Sequence, residues 1–118
     1  MTEQRRILIV EDNKLIAMDL EDELSERGFE PVCAATIEDA RRLLEEQPPA
    51  FAVLDMHVKA DTSFDLAREL TGRAIPLAFV SGNDVSSLPE DLRSAEILTK
   101  PIDFDELCRT ISVLGKTV

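Results

Sequence analysis

The stretch Ile7-Leu8-Ile9-Val10-Glu11-Asp12-Asn13 changes character abruptly between its fourth and fifth residues. Four apolar residues, mostly β-branched, are typical of a short strand that is buried on both faces of a sheet. The two acidic residues end that strand, and asparagine is a favourable residue at a helix N-cap. The stretch therefore predicts a buried strand that leads directly into a helix, with two carboxylates at the junction.

Apolar runs and helical patterns continue to alternate after this junction. Four more strands are predicted, at residues 29–34, 51–54, 75–80 and 96–98. Five helices are predicted. The first runs from the Asn13 cap to about Arg27, before Gly28, and the second from Thr36 to the residues before Pro48. The third runs from Thr62-Ser63 to Gly72, with Phe64, Ala67 and Leu70 facing inward. The fourth is a short or irregular helix within 83–95, and the last begins at the Asp103 cap and has an inward stripe from Phe104 to Leu114.

This alternation predicts the fold class. Strands separated by helices are expected to lie parallel, joined by right-handed crossovers, with helices on both faces of the sheet. For 118 residues we expect one α/β domain over 1–118. The flavodoxin-like arrangement, a doubly wound five-stranded parallel sheet in the order 2-1-3-4-5, fits this size. Ligands of such sheets bind at the carboxyl ends of the strands, so functional residues are expected there.

The composition excludes several classes of function. With 24 acidic and 13 basic residues, the formal net charge is −11, which is unsuited to general nucleic-acid binding or to a polybasic membrane surface. The only apolar run near the start is too short for a signal peptide, and no run has the length of a membrane span. Cys33 and Cys108 lack metal-binding spacing and are interpreted as reduced core residues. We therefore expect a cytoplasmic protein.

Charged and polar side chains follow four of the five predicted strands. In chain order they are Glu11 and Asp12, then Asp55, Ser81 and Lys100. In the order 2-1-3-4-5 these strands are neighbours about 4.8 Å apart, so their side chains are expected to converge on one pocket. Three carboxylates at close range repel one another, and a bound divalent cation relieves that repulsion. Hard oxygen ligands suit Mg²⁺, and an aspartate is a known nucleophile in phosphoryl transfer.

Four motifs at these strand ends together resemble the receiver domain of two-component response regulators, the CheY-like family. They are Ile-Leu-Ile-Val-Glu-Asp-Asn (7–13), Val-Leu-Asp-Met (53–56), Phe-Val-Ser-Gly (79–82) and Leu-Thr-Lys-Pro (98–101). Each motif alone is weak, but all four in this order cover essentially the whole chain. The resemblance implies a signalling phosphoprotein of a phosphorelay and not an enzyme. In such a module Asp55 accepts a phosphoryl group from a phosphohistidine and catalyses only its own phosphorylation and slow dephosphorylation.

The resemblance also implies roles for the rest of the pocket and for partner proteins. The implied ligands of Mg²⁺ or Mn²⁺ are Glu11, Asp12, Asp55 and the backbone carbonyl of His57. Ser81 and Lys100 are implied to bind the phosphoryl group. A cis peptide bond between Lys100 and Pro101 is implied as well. The implied partners are a sensor histidine kinase or histidine phosphotransfer protein, and a downstream protein that recognises the switched conformation.

One position departs from the pattern of many receivers. They carry an aromatic residue three positions before the lysine of the last motif, where this chain has Ile97. A subgroup of single-domain receivers, which often serves stress-signalling kinases, lacks the same aromatic. It shares the opening Thr62-Ser63-Phe64 of the third helix, but it has Thr-Gly where this chain has Ser81-Gly82. Rotation of an aromatic side chain at position 97 is therefore not the switch.

Other functions remain compatible with the sequence. The chain ends soon after the last helix, so we expect no output domain. A receiver excised from a hybrid histidine kinase, or a pseudo-receiver that binds partners without phosphorylation, would carry the same motifs. A haloacid-dehalogenase-like phosphatase also uses a strand-end aspartate and Mg²⁺. That family typically has a second aspartate two residues later, where this chain has His57.

Overall fold

The computed structural model describes residues 5–82 and 88–114, and within these ranges strands and helices alternate. The strands are β1 (Arg6–Val10), β2 (Glu30–Ala34), β3 (Phe51–Asp55), β4 (His57–Val58), β5 (Asp61–Thr62), β6 (Leu77–Ser81) and β7 (Glu96–Thr99). The α-helices are α1 (Lys14–Glu26), α2 (Ile37–Glu46), α3 (Phe64–Gly72) and α4 (Phe104–Leu114), and a 3-10 helix covers Glu90–Leu92.

Five of the strands form one parallel sheet in the order β2-β1-β3-β6-β7. Because β6 and β7 are the fourth and fifth strands of this sheet along the chain, the predicted flavodoxin-like order 2-1-3-4-5 is confirmed. The two remaining strands, β4 and β5, pair antiparallel in a short hairpin directly after β3. The apolar pattern did not predict this hairpin, which lies at the carboxyl edge of the sheet.

Both faces of the sheet carry a buried apolar cluster. Successive side chains of β1 alternate between the faces, so Leu8 and Val10 join one cluster while Ile7 and Ile9 join the other. The first cluster is covered by α2, α3 and the 3-10 helix, and the second by α1 and α4. This double covering explains why β1 is apolar at every position from Ile7 to Val10, as is expected of a central parallel strand.

Three of the predicted helix caps are present. The Oδ1 atom of Asn13 accepts hydrogen bonds from the backbone N–H groups of Leu15 and Ile16 at 3.0 and 3.2 Å. Thr36 Oγ1 accepts one from the Asp39 N–H at 3.0 Å. Asp103 Oδ1 accepts hydrogen bonds from the N–H groups of Asp105 and Glu106, at 2.9 and 3.2 Å, at the start of α4. These bonds satisfy N–H groups that the first turn of a helix leaves without partners, so each helix begins where the sequence predicts.

The fourth predicted helix is present only as one short turn. The described ranges contain four α-helices and a 3-10 helix. Of the segment 83–95, where a short or irregular helix was predicted, residues 83–87 lie outside these ranges and the rest contains the 3-10 helix Glu90–Leu92, which begins directly after Pro89. Two predictions about inward-facing side chains are corrected. The inward stripe of α4 stops at Ile111, since Leu114 is 36% exposed. In α3, Leu66 is fully buried although the predicted stripe omitted it.

The structure also bears on the cysteines and on whether a helix could span a membrane. Cys33 and Cys108 are free and half-buried. Burial raises the pKa of the Cys33 thiol to about 11, so it stays protonated and unreactive at neutral pH. Across 5–82 and 88–114, no helix is both long and apolar enough to cross a membrane.

Candidate functional site

Three carboxylates meet at the carboxyl edge of the sheet. Glu11 directly follows β1, and its N–H donates to the Ala34 carbonyl at 3.0 Å, which continues the pairing of β1 with β2. Asp12 is the next residue, and Asp55 is the last residue of β3, the neighbouring strand. One oxygen from each of Glu11, Asp12 and Asp55 lies within 4.8 Å of the other two. The convergence predicted from the strand order is therefore present for the three acids.

Lys100 brings a positive charge to the same place. It directly follows β7, and its backbone N–H donates to the carbonyl of Ser81 at 2.9 Å, which keeps it beside β6. Its Nζ lies 3.3 Å from Asp55 Oδ2 and 3.5 Å from Glu11 Oε1. The Lys100–Pro101 peptide bond is cis, as the family resemblance implied. One ammonium group thus contacts two of the three carboxylates.

The electrostatics of the pocket follow from burial and crowding. Burial raises the pKa of the Glu11 carboxyl above its ordinary value, and the negative charge of Asp55 raises it further. The Asn13 N–H, 3.0 Å from Glu11 Oε2, and the Lys100 ammonium oppose this rise. Burial alone would lower the pKa of Lys100, but Asp55 and Glu11 outweigh it and raise that pKa. Lys100 therefore stays charged, while Glu11 favours a proton or a cation close to it.

A divalent cation fits this donor set. Three carboxylates that converge within 4.8 Å offer hard oxygen ligands, the type that Mg²⁺ and Mn²⁺ prefer. Glu11 is 4% exposed, and a buried carboxylate costs folding free energy unless a positive charge compensates it. Lys100 supplies one positive charge against three negative ones, so the pocket retains an excess that a divalent cation would balance.

Two contacts at the pocket involve residues that were not predicted to belong to it. The backbone N–H of Lys59, in the turn between β4 and β5, donates to Asp12 Oδ2 at 2.8 Å. Lys59 has a φ of 58°, a conformation that lysine rarely adopts, so its identity did not predict this turn. The Oγ of Ser63 donates to the carbonyl of Asp55 at 2.7 Å. The hairpin and the residue after it thus hold the main chain and side chains of the acids.

Ser81 and His57 occupy the expected strand ends. Ser81 is the last residue of β6, is 1% exposed, and lies on the strand next to Asp55. His57 begins β4, its side chain is exposed, and its ring lies edge-on to Phe64 at 6.4 Å between centroids. The contact of Ser81 with a phosphoryl group and the ligation of a cation by the His57 carbonyl stay predictions.

The crowded charges predict how stability depends on pH in metal-free protein. A carboxyl whose pKa is raised by folding stabilises the protein below its ordinary pKa, near 4.5 for Glu11, and that stabilisation is lost as pH rises through the raised value. Glu11→Gln removes the charge, so we expect a higher melting temperature than wild type, with a gap that widens as pH rises. The exposed Glu21→Gln is the control.

Thermal unfolding followed by far-ultraviolet circular dichroism measures both variants, since the chain has no Trp or Tyr for fluorescence. Saturating Mg²⁺ should reverse the order, because wild type gains the cation's stabilisation and Glu11→Gln loses part of it. A Glu11→Gln protein that is less stable than wild type in metal-free buffer at every pH would contradict the assigned repulsion.

Comparisons with known proteins agree with this geometry. The family model described as the response regulator receiver domain matches residues 7–112. The transcriptional regulatory protein PdtaR of Mycobacterium tuberculosis is 31% identical over 114 residues, which cover 92% of this chain but 56% of PdtaR. The chain therefore spans little more than half the length of that relative.

Solved structures give the same result. SdrG from Sphingomonas melonis Fr1 superposes with a TM-score of 0.83 at 33% identity, covering 97% of this chain and 98% of SdrG. The response regulator TrrA from Thermotoga maritima, solved in complex with Mg²⁺ and BeF, superposes with a TM-score of 0.82 at 24% identity, covering 93% of this chain and 98% of TrrA. The latter likeness concerns the fold alone.

Proposed function

The chain belongs to the response regulator receiver family of two-component systems, and from that membership we propose that it is a phosphoacceptor module in which Asp55 takes a phosphoryl group from a phosphohistidine. The observation that carries the proposal is the arrangement around Asp55: two other carboxylates within 4.8 Å and the Lys100 ammonium at 3.3 Å. Receivers are signalling modules, so the proposed product is a modified protein and not a released compound.

The proposed chemistry is a transfer between two side chains. An oxygen of the Asp55 carboxylate forms a bond to phosphorus while the bond between phosphorus and the imidazole nitrogen of the donor breaks. The electron pair of the broken bond stays on that nitrogen, which takes up one proton from water. Negative charge is spread over the three equatorial oxygens of the phosphoryl group in the transition state. The protein accelerates the transfer mainly by positioning the reacting groups and by neutralising that charge.

Residues of the pocket divide this work. Lys100 is placed to donate a hydrogen bond to one phosphoryl oxygen, because its ammonium already lies against Asp55. The Ser81 hydroxyl is proposed to donate to a second one. The proposed ligands of Mg²⁺ or Mn²⁺ are Glu11, Asp12, Asp55 and the His57 carbonyl. When bound, the cation would supply a further positive charge for the phosphoryl oxygens and would relieve the repulsion between the carboxylates.

The proposed output is a change in the population of two conformations. Phosphorylation favours one of them, and a downstream protein binds that one better. The donor is proposed to be a sensor histidine kinase or a histidine phosphotransfer protein, in the cytoplasm. Ile97 is half-buried on β7 and is paired in register with Phe79 of β6. An aliphatic side chain in this place means that the switch does not depend on an aromatic residue at position 97.

Removal of divalent cations tests the proposal. Wild-type protein incubated with Mg²⁺ and a small phosphoryl donor is expected to form an acid-stable, base-labile adduct of one phosphoryl group per chain. With excess EDTA the rate should fall by more than about 100-fold, because the pocket then lacks the charge that the cation supplies. Intact mass spectrometry after an acid quench measures the adduct, and beryllofluoride with Mg²⁺ offers a non-covalent probe of the same site.

The outcome also separates this function from a phosphorylation-independent receiver. Protein that forms no adduct and binds no beryllofluoride in the presence of Mg²⁺ would be a binding module only. An adduct that forms equally well with EDTA present would contradict the assigned cation site while leaving Asp55 as a candidate acceptor.

A further inference from the structure

The serine that precedes α3 lies against the main chain of Asp55. Ser63 is 0% exposed. Its Oγ donates a hydrogen bond to the carbonyl oxygen of Asp55 at 2.7 Å, and its backbone N–H donates one to the carbonyl oxygen of Met56 at 3.0 Å. A single residue therefore holds two consecutive carbonyls, that of the proposed phosphoacceptor Asp55 and that of the next residue, Met56.

Ser63 occupies the N-cap position of α3 without capping the helix. Serine at an N-cap ordinarily has an extended backbone and accepts a hydrogen bond from the first turn of its own helix. Asn13 and Thr36 do this at the starts of α1 and α2. Ser63 has φ −94° and ψ 15° and makes no side-chain cap bond. Its hydroxyl serves the strand that carries Asp55 and not the helix that it precedes.

The two bonds constrain the geometry of the pocket. The backbone amide of Asp55 is held in β3. The position of its carbonyl therefore sets the direction of the bond from Cα to Cβ, and thus where the carboxylate lies. The Met56 carbonyl comes next, directly before His57. Groups buried with their hydrogen bonds satisfied have well-defined positions, and loss of a donor allows the main chain to move.

We propose that Ser63 is a positioning residue for phosphoryl transfer, because its hydroxyl fixes the main chain of Asp55 so that the carboxylate stays in contact with Lys100 Nζ. The inference rests on the proposed function of Asp55. Ser63 acts through the backbone and its hydroxyl is already engaged with the Asp55 carbonyl, so its effect is expected on the rate of transfer and not on the binding of the donor.

Ser63→Ala tests this role in a reaction at saturating small phosphoryl donor and saturating Mg²⁺. A displacement of about 1 Å at a reacting group can cost about 100-fold, so loss of this one bond is expected to lower the rate constant by about tenfold. The half-saturating concentrations of donor and of Mg²⁺ should stay within about threefold of wild type. Ser63→Thr, which keeps the hydroxyl, should recover most of the rate.

Thr36→Ala is the matched control. Thr36 is a true helix cap at the β2 edge of the sheet, so its removal costs stability without touching the main chain of Asp55. If Ser63 had only a structural role, Ser63→Ala and Thr36→Ala would both lower the phosphorylated fraction at the end point. If Ser63 positions Asp55, only Ser63→Ala lowers the rate constant. If Ser63→Ala does not fold, Ser63→Cys, similar in size but a weak donor, replaces it with the same expected ranking.

Two outcomes would overturn the inference in distinguishable ways. If wild type is phosphorylated and Ser63→Ala matches its rate constant, or Thr36→Ala is slowed as much, Ser63 has no positioning role although Asp55 keeps its function. If wild type itself gains no phosphoryl group, the proposed function fails and the positioning role fails with it.

Discussion

Asp55→Asn is expected to abolish the acid-stable, base-labile phosphoryl adduct, with a loss of at least about 1,000-fold in the amount formed per minute. An amide has nearly the shape of a carboxylate but is a poor nucleophile towards phosphorus. The substitution also removes a negative charge that raises the pKa of the buried Glu11. We therefore expect the variant to fold with a melting temperature equal to or above that of wild type in metal-free buffer.

The matched control is Asp61→Asn, in the same stretch of chain. Asp61 lies on β5 of the hairpin and is exposed, so its substitution should leave both the amount of adduct and the melting temperature near those of wild type. A comparison of the two variants by intact mass spectrometry, with melting curves recorded alongside, separates loss of chemistry from loss of folding. An Asp55→Asn protein that gains as much phosphoryl group as wild type would place the acceptor elsewhere.

The sequence predicted the charged part of this pocket because topology forces it. Parallel strands that are joined by helices bring their carboxyl ends to one edge, so residues that directly follow apolar runs are bound to meet there. Glu11, Asp55 and Lys100 are 44 or more positions apart along the chain, yet each follows or ends a strand of the same sheet. Periodicity and strand order were sufficient to bring them together.

The supporting contacts could not be read from residue types in the same way. The bond from the Lys59 N–H to Asp12 belongs to the main chain, and any residue except proline offers that donor. Ser63 in front of a helix predicts a cap, and only the three-dimensional path of the hairpin turns its hydroxyl towards Asp55. Such contacts depend on the exact direction of the chain after β3, which no spacing rule encodes.

Helix ends show the same limit. Gly28 has φ +92° and ends the first helix as predicted. Gly72 is the last residue of α3, as predicted, but the left-handed residue that follows is Ala74, with φ 61°. Glycine is favoured in the left-handed conformation, but other residues can adopt it. A glycine therefore predicts the end of a helix more reliably than it predicts which residue has a positive φ.

Lys100→Met is expected to lower the rate of phosphorylation by about 100- to 1,000-fold at saturating Mg²⁺, the usual cost of removing one donor to an oxyanion that forms in the transition state. Methionine replaces the apolar stem of lysine without its ammonium group, and the backbone bond to Ser81 is unaffected. The binding of Mg²⁺ should change in the opposite direction. Loss of the ammonium leaves the carboxylates with one more uncompensated charge, so the affinity for Mg²⁺ should rise by roughly 3- to 10-fold.

Lys59→Met is the control, because Lys59 lies beside the same pocket and contacts Asp12 only through its backbone N–H among its described hydrogen bonds. It should keep its rate of phosphorylation within about threefold of wild type, since the backbone donor is retained. Isothermal titration with Mg²⁺ and single-turnover phosphorylation measure the two quantities separately. Lys100→Met protein with weakened Mg²⁺ binding would mean that the lysine supports the cation site, whereas slower transfer with tighter binding means that it acts on the phosphoryl group.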